Sequence, residues 1–218
     1  MMPRRGLLIF DLDGTLFRTD TVSIPAVQSA LRAAGFAPPP NEAIIEFFGR
    51  PLRDFRDWAY RTYPGITEQV LDSVDEWELQ LVREQGKLYP GVHEALTALR
   101  TATEHLAICS NGPGPYVQQV VASHGLAPYF DAVRWPGDGD SGKPGMVAEL
   151  LARLPGRPAA VIGDRHDDIT AAHENGILAI GSSYGFGGAQ EIAGADATAA
   201  SPEELPEIVA RLFGRLSS

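Results

Sequence analysis

Four short runs in this chain are apolar at every position: Leu7 to Phe10, Leu106 to Cys109, Ala159 to Ile162 and Ile177 to Ile180. A strand with one wet face alternates apolar and polar residues, whereas a run without a polar position must be covered on both faces. Helical spacing fills the intervals. Val92, Ala95, Leu96 and Leu99 follow Pro90-Gly91, while Val117, Val120 and Val121 follow a Gly/Pro turn. Met146, Val147, Leu150 and Leu151 follow Pro144. Buried strands alternating with helices predict an α/β fold, a doubly wound, Rossmann-like parallel sheet.

Residues 17–87 break this rhythm, because no buried-strand run occurs in them and the apolar spacing is helical throughout. Val70, Val74, Trp77 and Leu81 predict one helix stripe. Breaks at Pro38-Pro39-Pro40 and Tyr63-Pro64-Gly65 divide the segment into about four helices. The expected organisation is a core of residues 1–16 and 88–218 with a helical insertion, 17–87, directly after the first strand. Trp58 and Trp77 are expected in the core of that insertion rather than as ligand-stacking platforms.

Composition removes whole classes of function. Hydrophobic residues at 44% and charged residues at 21% exclude a disordered chain, collagen and a coiled coil. With 28 acidic against 18 basic side chains the formal charge is -10, which opposes binding to nucleic acid. A single cysteine, Cys109, forms neither a disulfide framework nor a zinc ribbon and reads as a small buried hydrophobe. The basic start, Met1-Met2-Pro3-Arg4-Arg5, leads into an apolar run that ends at Asp11, too short for a signal peptide or a membrane span. A cytoplasmic protein is expected. His93, His105, His124 and His173 show no metal-binding spacing.

Chemistry concentrates at the ends of the apolar runs. Asp11-Leu12-Asp13-Gly14-Thr15-Leu16 follows the first one, so two carboxylates stand at the carboxyl edge of the sheet, where α/β domains bind ligands. Acids at i and i+2 of an extended chain point to one side, and repel unless a cation or a shared proton intervenes. A calcium loop needs glycine at its sixth position and glutamate at its twelfth, where this chain has Leu16 and Val22. Ser110-Asn111 ends the second run, Lys143-Pro144 opens a helix, and Gly163-Asp164-Arg165-His166-Asp167-Asp168 closes the third run. Lys143 is one of only two lysines, against 16 arginines, so a compact point charge has been kept there. Arg165 and His166 are expected on the surface, and Asp167 solvated or capping a helix.

In these segments the chain resembles the haloacid dehalogenase superfamily of phosphohydrolases. Asp11 to Leu16 is similar to its first motif, Ser110 to its second, Lys143 to its third, and Gly163-Asp164 with Asp168 to its fourth. The insertion resembles its α-helical cap, and Leu88 to Val92 the return hinge. The resemblance implies a magnesium-dependent phosphatase acting on a small phosphorylated metabolite as a monomer or homodimer. Asp11 would be the nucleophile, forming an aspartyl-phosphate, Asp13 the general acid and base, and Lys143 the catalytic cation. Magnesium would be held by Asp11, the Asp13 carbonyl and Asp164, with Asp168 orienting Lys143 or a metal-bound water. Thr15, Ser110, Asn111 and, from Phe48-Gly49-Arg50-Pro51-Leu52-Arg53 in the cap, Arg50 would face phosphate or substrate; Arg53 is a weaker candidate.

Asp13 argues against a dehalogenase, and the lack of a cap lysine other than Lys87 argues against phosphonate cleavage. A phosphosugar mutase on the same core, or a non-catalytic phosphate-binding protein, remains open. A receiver domain would be shorter and without the insertion. The hinge and Ser183-Tyr184-Gly185-Phe186-Gly187 most resemble phosphoglycolate phosphatase-like members.

Overall fold

The computed structural model describes residues 5–137 and 142–215; most of the basic start, Met1 to Arg4, lies outside the described residues. Six parallel strands form one sheet in the order β3-β2-β1-β4-β5-β6. They are β1 (Leu7–Phe10), β2 (His105–Cys109), β3 (Ala132–Arg134), β4 (Ala159–Gly163), β5 (Leu178–Ser182) and β6 (Ala197–Ala199). All four apolar runs fall on strands, the last shifted by one residue so that Ile177 precedes β5.

The sheet is covered on both sides, which is why its central strands have no polar position. Leu8 and Phe10 of β1 pack with α5 (Val92–Ala102), α6 (Gly114–Ser123) and α9 (Leu205–Arg215). Leu7 and Ile9 point the other way, onto α7 (Lys143–Arg153) and α8 (His166–Glu174). Cys109 lies buried in this second layer. The chain winds outward through β2 and β3 on one side of β1 and through β4, β5 and β6 on the other. The reversal falls between β1 and β4, so the loops after these two strands diverge and leave a crevice at the carboxyl edge.

Between β1 and α5 the chain forms α1 (Asp20–Ala33), a short α2 (Asn41–Ile45), α3 (Leu52–Thr62) and α4 (Glu68–Glu84). These helices share an apolar cluster of their own, including Val27, Leu31, Ile44, Phe48, Leu71 and Val74. Pro25 lies inside α1, where it cannot donate to the Thr21 carbonyl. The Gln85 side chain donates there instead, at 2.7 Å, and so binds the end of α4 to the start of α1.

Of the expected stripe on α4, Val74 is buried and Val70 and Leu81 pack against the cores, but Trp77 is 40% exposed, and Leu71 and Val82 are buried beside them. Spacing alone favoured Trp77, but at 3.6 residues per turn the face through Leu71 and Val74 continues to Glu78. Trp58 does pack against the helical cluster, beside Phe47 and Phe55. Among the described residues no helix is long and apolar enough to cross a membrane.

Two substitutions separate these environments. Phe10→Ala is expected to cost about 3–5 kcal/mol of unfolding free energy, and Trp77→Ala to stay within about 0.5 kcal/mol of the parent. Urea denaturation followed by circular dichroism measures both.

Candidate active site

The crevice between β1 and β4 collects the residues that end the apolar runs. Asp11, Asp13, Thr15, Ser110, Asn111, Lys143, Asp164 and Asp168 are all buried there. Gly14 turns the chain away behind the two acids with φ +78°, and a Cβ at this position would collide with the Asp164 carboxylate. The acidic loops therefore close on each other only because Gly14 carries no side chain.

Lys143, at the first turn of α7, lies 2.6 Å from Asp11 Oδ1 and 2.5 Å from Asp168 Oδ1. Burial by itself would lower the lysine pKa, but the two carboxylates outweigh it and hold the ammonium well above its usual range. Asp168 is anchored at its other oxygen, which accepts the Arg165 backbone N–H at 3.0 Å in the first turn of α8. Asp164 Oδ2 accepts the backbone N–H groups of Phe186 and Gly187 at 2.8 and 2.9 Å.

Two carboxylate oxygens remain buried without a protein partner, Asp11 Oδ2 and Asp164 Oδ1. Oxygens of Asp11, Asp164 and Asp168 lie within 4.8 Å of one another. An all-oxygen, all-carboxylate set with orphaned atoms fits a hard divalent cation such as magnesium. Its electrostatics fit as well, because burial and neighbouring acids push Asp11 well above the usual carboxylate range and Asp164 up to about 6. A divalent cation bound beside Lys143 would offset the repulsion among these carboxylates.

Asp13 is held differently. Its Oδ1 accepts both the Thr19 hydroxyl, at 2.5 Å, and the Tyr116 hydroxyl, at 2.6 Å. Burial raises its pKa in spite of these two bonds. Neither donor was legible as a site residue: Thr19 lies beyond the motif, and Tyr116 sits on a helix whose apolar spacing explains it without chemistry.

The remaining candidates are more varied. Ser110 is buried and its Oγ accepts the Gly112 N–H at 3.0 Å, leaving its own proton to donate. The Asn111 side chain reaches across to the helical layer and donates to the Gly49 carbonyl at 3.0 Å. The Thr15 hydroxyl is buried without a partner. Arg50 is exposed, at a cavity between the helical layer and the core, and Arg53 points to solvent beside Asp54.

Arg165 departs from expectation, for it is 8% exposed rather than on the surface. Its guanidinium reaches across the crevice and donates to the Ile45 carbonyl at 3.0 Å, with Glu191 3.8 Å away. A residue in a motif loop was assigned to water because loops generally face it, but the helical layer covers this loop. His166 and Asp167 are exposed, Asp167 in the first turn of α8.

Carboxylates braced around one lysine at a switch-point edge suit an anionic substrate bound through cations. Fold and site together define a hydrolase of the doubly wound α/β class. A sequence profile of the haloacid dehalogenase-like hydrolases matches residues 8–182. A phosphoglycolate phosphatase of Vibrio vulnificus is 29% identical over 219 aligned residues, covering 95% of this chain and 94% of that protein. Another, of Haemophilus influenzae, is 30% identical and covers 83% of this chain and 86% of its own length. The crystal structure of a predicted phosphatase from Clostridium acetobutylicum superposes with a TM-score of 0.76 at 26% identity, covering 96% of this chain and 100% of that one. The chain belongs to the haloacid dehalogenase-like hydrolases. Within them it is a phosphatase, similar to the phosphoglycolate phosphatases.

The buried acids set how stability varies with pH. Asp11, Asp13, Asp164 and Glu78 all have raised pKa values, Asp164 to about 6 and Glu78 to about 7. Between roughly pH 4 and 7 the folded, metal-free protein keeps protons that the unfolded chain has lost, so stability falls as pH rises. Asp75, also raised by burial, acts in the same sense, while His124, lowered by burial, and Glu203, lowered by its hydrogen bonds, act in the opposite one. The urea midpoint without divalent ions is therefore expected to be higher at pH 5 than at pH 7.5. Magnesium, binding ionised carboxylates, should raise it more at the higher pH.

Proposed function

We propose that this chain is a magnesium-dependent, cytoplasmic phosphatase that hydrolyses a small phosphate monoester through an aspartyl-phosphate on Asp11. The observation that carries the reading is the state of Asp11: one oxygen is held by Lys143 and the other is buried with no protein partner. A carboxylate fixed in this way has one lone pair to offer an incoming phosphorus.

Attack by Asp11 Oδ2 breaks the bond from phosphorus to the bridging oxygen, and the leaving alcohol needs a proton. Asp13 supplies it, since burial favours its protonated form and two hydrogen bonds fix one of its oxygens. The ionised Asp13 then takes a proton from the water that hydrolyses the aspartyl-phosphate. The Ser110 hydroxyl and the backbone amides of the Leu12 and Asn111 loops hydrogen-bond the phosphoryl oxygens. Thr15 braces the phosphate loop or reaches the phosphate itself, and Arg50 meets the substrate from the helical layer.

Asp11, the Asp13 carbonyl and Asp164 would hold magnesium, which would supply positive charge against the converging carboxylates and phosphate. Lys143 offsets the same charge, and Asp168 keeps it in place. Residues 17–87 act as a cap over a core of residues 1–16 and 88–218, and closure excludes water from the crevice. The names of the relatives make phosphoglycolate the first natural ester to test.

Hydrolysis of p-nitrophenyl phosphate is expected with magnesium and to be lost with a chelator. Asp11→Asn should fall to background while retaining the parent circular dichroism spectrum. Asp13→Asn should lose about 10²–10⁴-fold on an alkyl ester. With an activated leaving group that needs no proton, it should accumulate a phosphorylated enzyme, visible as an added phosphate by intact mass spectrometry. Retained turnover in Asp11→Asn would refute the nucleophile, and no hydrolysis of any ester by folded protein would refute the function.

A further inference from the structure

A cavity of about 80 Å³ lies between the helical layer and the core, and Asp13 forms part of its wall. Because Asp13 gives its proton to the leaving alcohol, this cavity receives the leaving group; the inference rests on the phosphatase reading to that extent. The space holds roughly five waters, so a leaving group of a few heavy atoms fills it. Val27, Ile44, Phe48 and Val74 contribute apolar walls.

The polar lining is unusual in sign. Besides Asp13, two further carboxylates, Asp75 and Glu78, line the cavity, against one guanidinium, the exposed Arg50. Asp75 lies 2.5 Å from Arg56, a cation it shares with Glu68 and Asp72. Glu78 makes no ion pair among the described residues, and its polar neighbour is the Ser23 hydroxyl. It occupies the inward face of α4, one turn beyond Val74, where an apolar residue would complete the stripe. With the Ser23 hydroxyl as its donor and no paired cation among the described residues, this half-buried carboxyl keeps acceptor capacity for a donor bound in the cavity.

We propose that Glu78 is a specificity-determining residue that selects phosphate monoesters whose leaving alcohol carries a hydrogen-bond donor, a hydroxyl or an ammonium. Esters bearing a carboxylate at that place are disfavoured, because Glu78 and its α4 neighbour Asp75 would face it from the helical layer and Asp13 from the core. The selectivity runs against the substrate named for the relatives, although the phosphoryl-handling residues are those of the same family.

The test compares kcat/KM, with magnesium at pH 8, for O-phosphoethanolamine, glycerol 1-phosphate and 2-phosphoglycolate. The parent is expected to favour the first two over phosphoglycolate by at least tenfold, and the ratio between those two tells which donor is preferred. Glu78→Gln should shrink the preference over phosphoglycolate at least fivefold, chiefly through KM. Each ratio is taken on one preparation, so a partial loss of folded protein cancels, and the parent's own ratio tests the proposal even if the variant fails to fold. A parent preference for phosphoglycolate, particularly one lost in Arg50→Ala, would overturn it, as would an unchanged ratio in Glu78→Gln. Failure of the phosphatase reading is distinct: none of the three esters, nor p-nitrophenyl phosphate, would be hydrolysed.

Discussion

Lys143 stands buried between Asp11 and Asp168 and, among the described residues, is the cation that pairs with both. Paired buried charges rarely add stability, because desolvation takes back most of what attraction gives, yet breaking one pair leaves a charge stranded. The arrangement is therefore obligatory without being a source of stability. It also orders the site: Asp11 keeps one oxygen engaged and one free, and Asp168 ties the lysine to the first turn of α8. The strands supply the rigidity that brings Asp11, 132 positions away in sequence, to within hydrogen-bonding distance of Lys143.

Much of the fold was legible because the central strands are buried on both faces and so lack polar residues altogether. The short edge strands β3 and β6 carry no such mark; three residues each, with Arg134 and Thr198 among them, do not stand out from loops. In the helical layer the period was readable and its phase failed at one position. Trp77 is the bulkiest apolar residue of α4 and drew the stripe toward itself, whereas packing kept Val74, buried Leu71 and turned Trp77 outward.

The candidate site divides along similar lines. Groups at strand ends were legible because topology alone brings strand ends together. Thr19, Tyr116 and Arg165 were not, since each acts through a contact between segments remote in sequence that no local pattern announces. Tyr116 is instructive. Its ring completes the apolar face of α6 while its hydroxyl reaches Asp13, so the helical pattern accounts for the residue and conceals its polar end.

Contacts across the crevice have a common character. Asn111 and Arg165 of the core each donate to the helical layer, and both acceptors are main-chain carbonyls, of Gly49 and Ile45. A main-chain acceptor exists whatever side chain its residue bears. Within the segment from Ile45 to Arg50, Phe48 is buried and Gly49 has φ +73°, but the exposed side chains of Glu46 and Arg50 can change without losing the two fastenings that seat it. The seating of this loop is in this way written in its main chain, and its exposed side chains can drift while the seating stays.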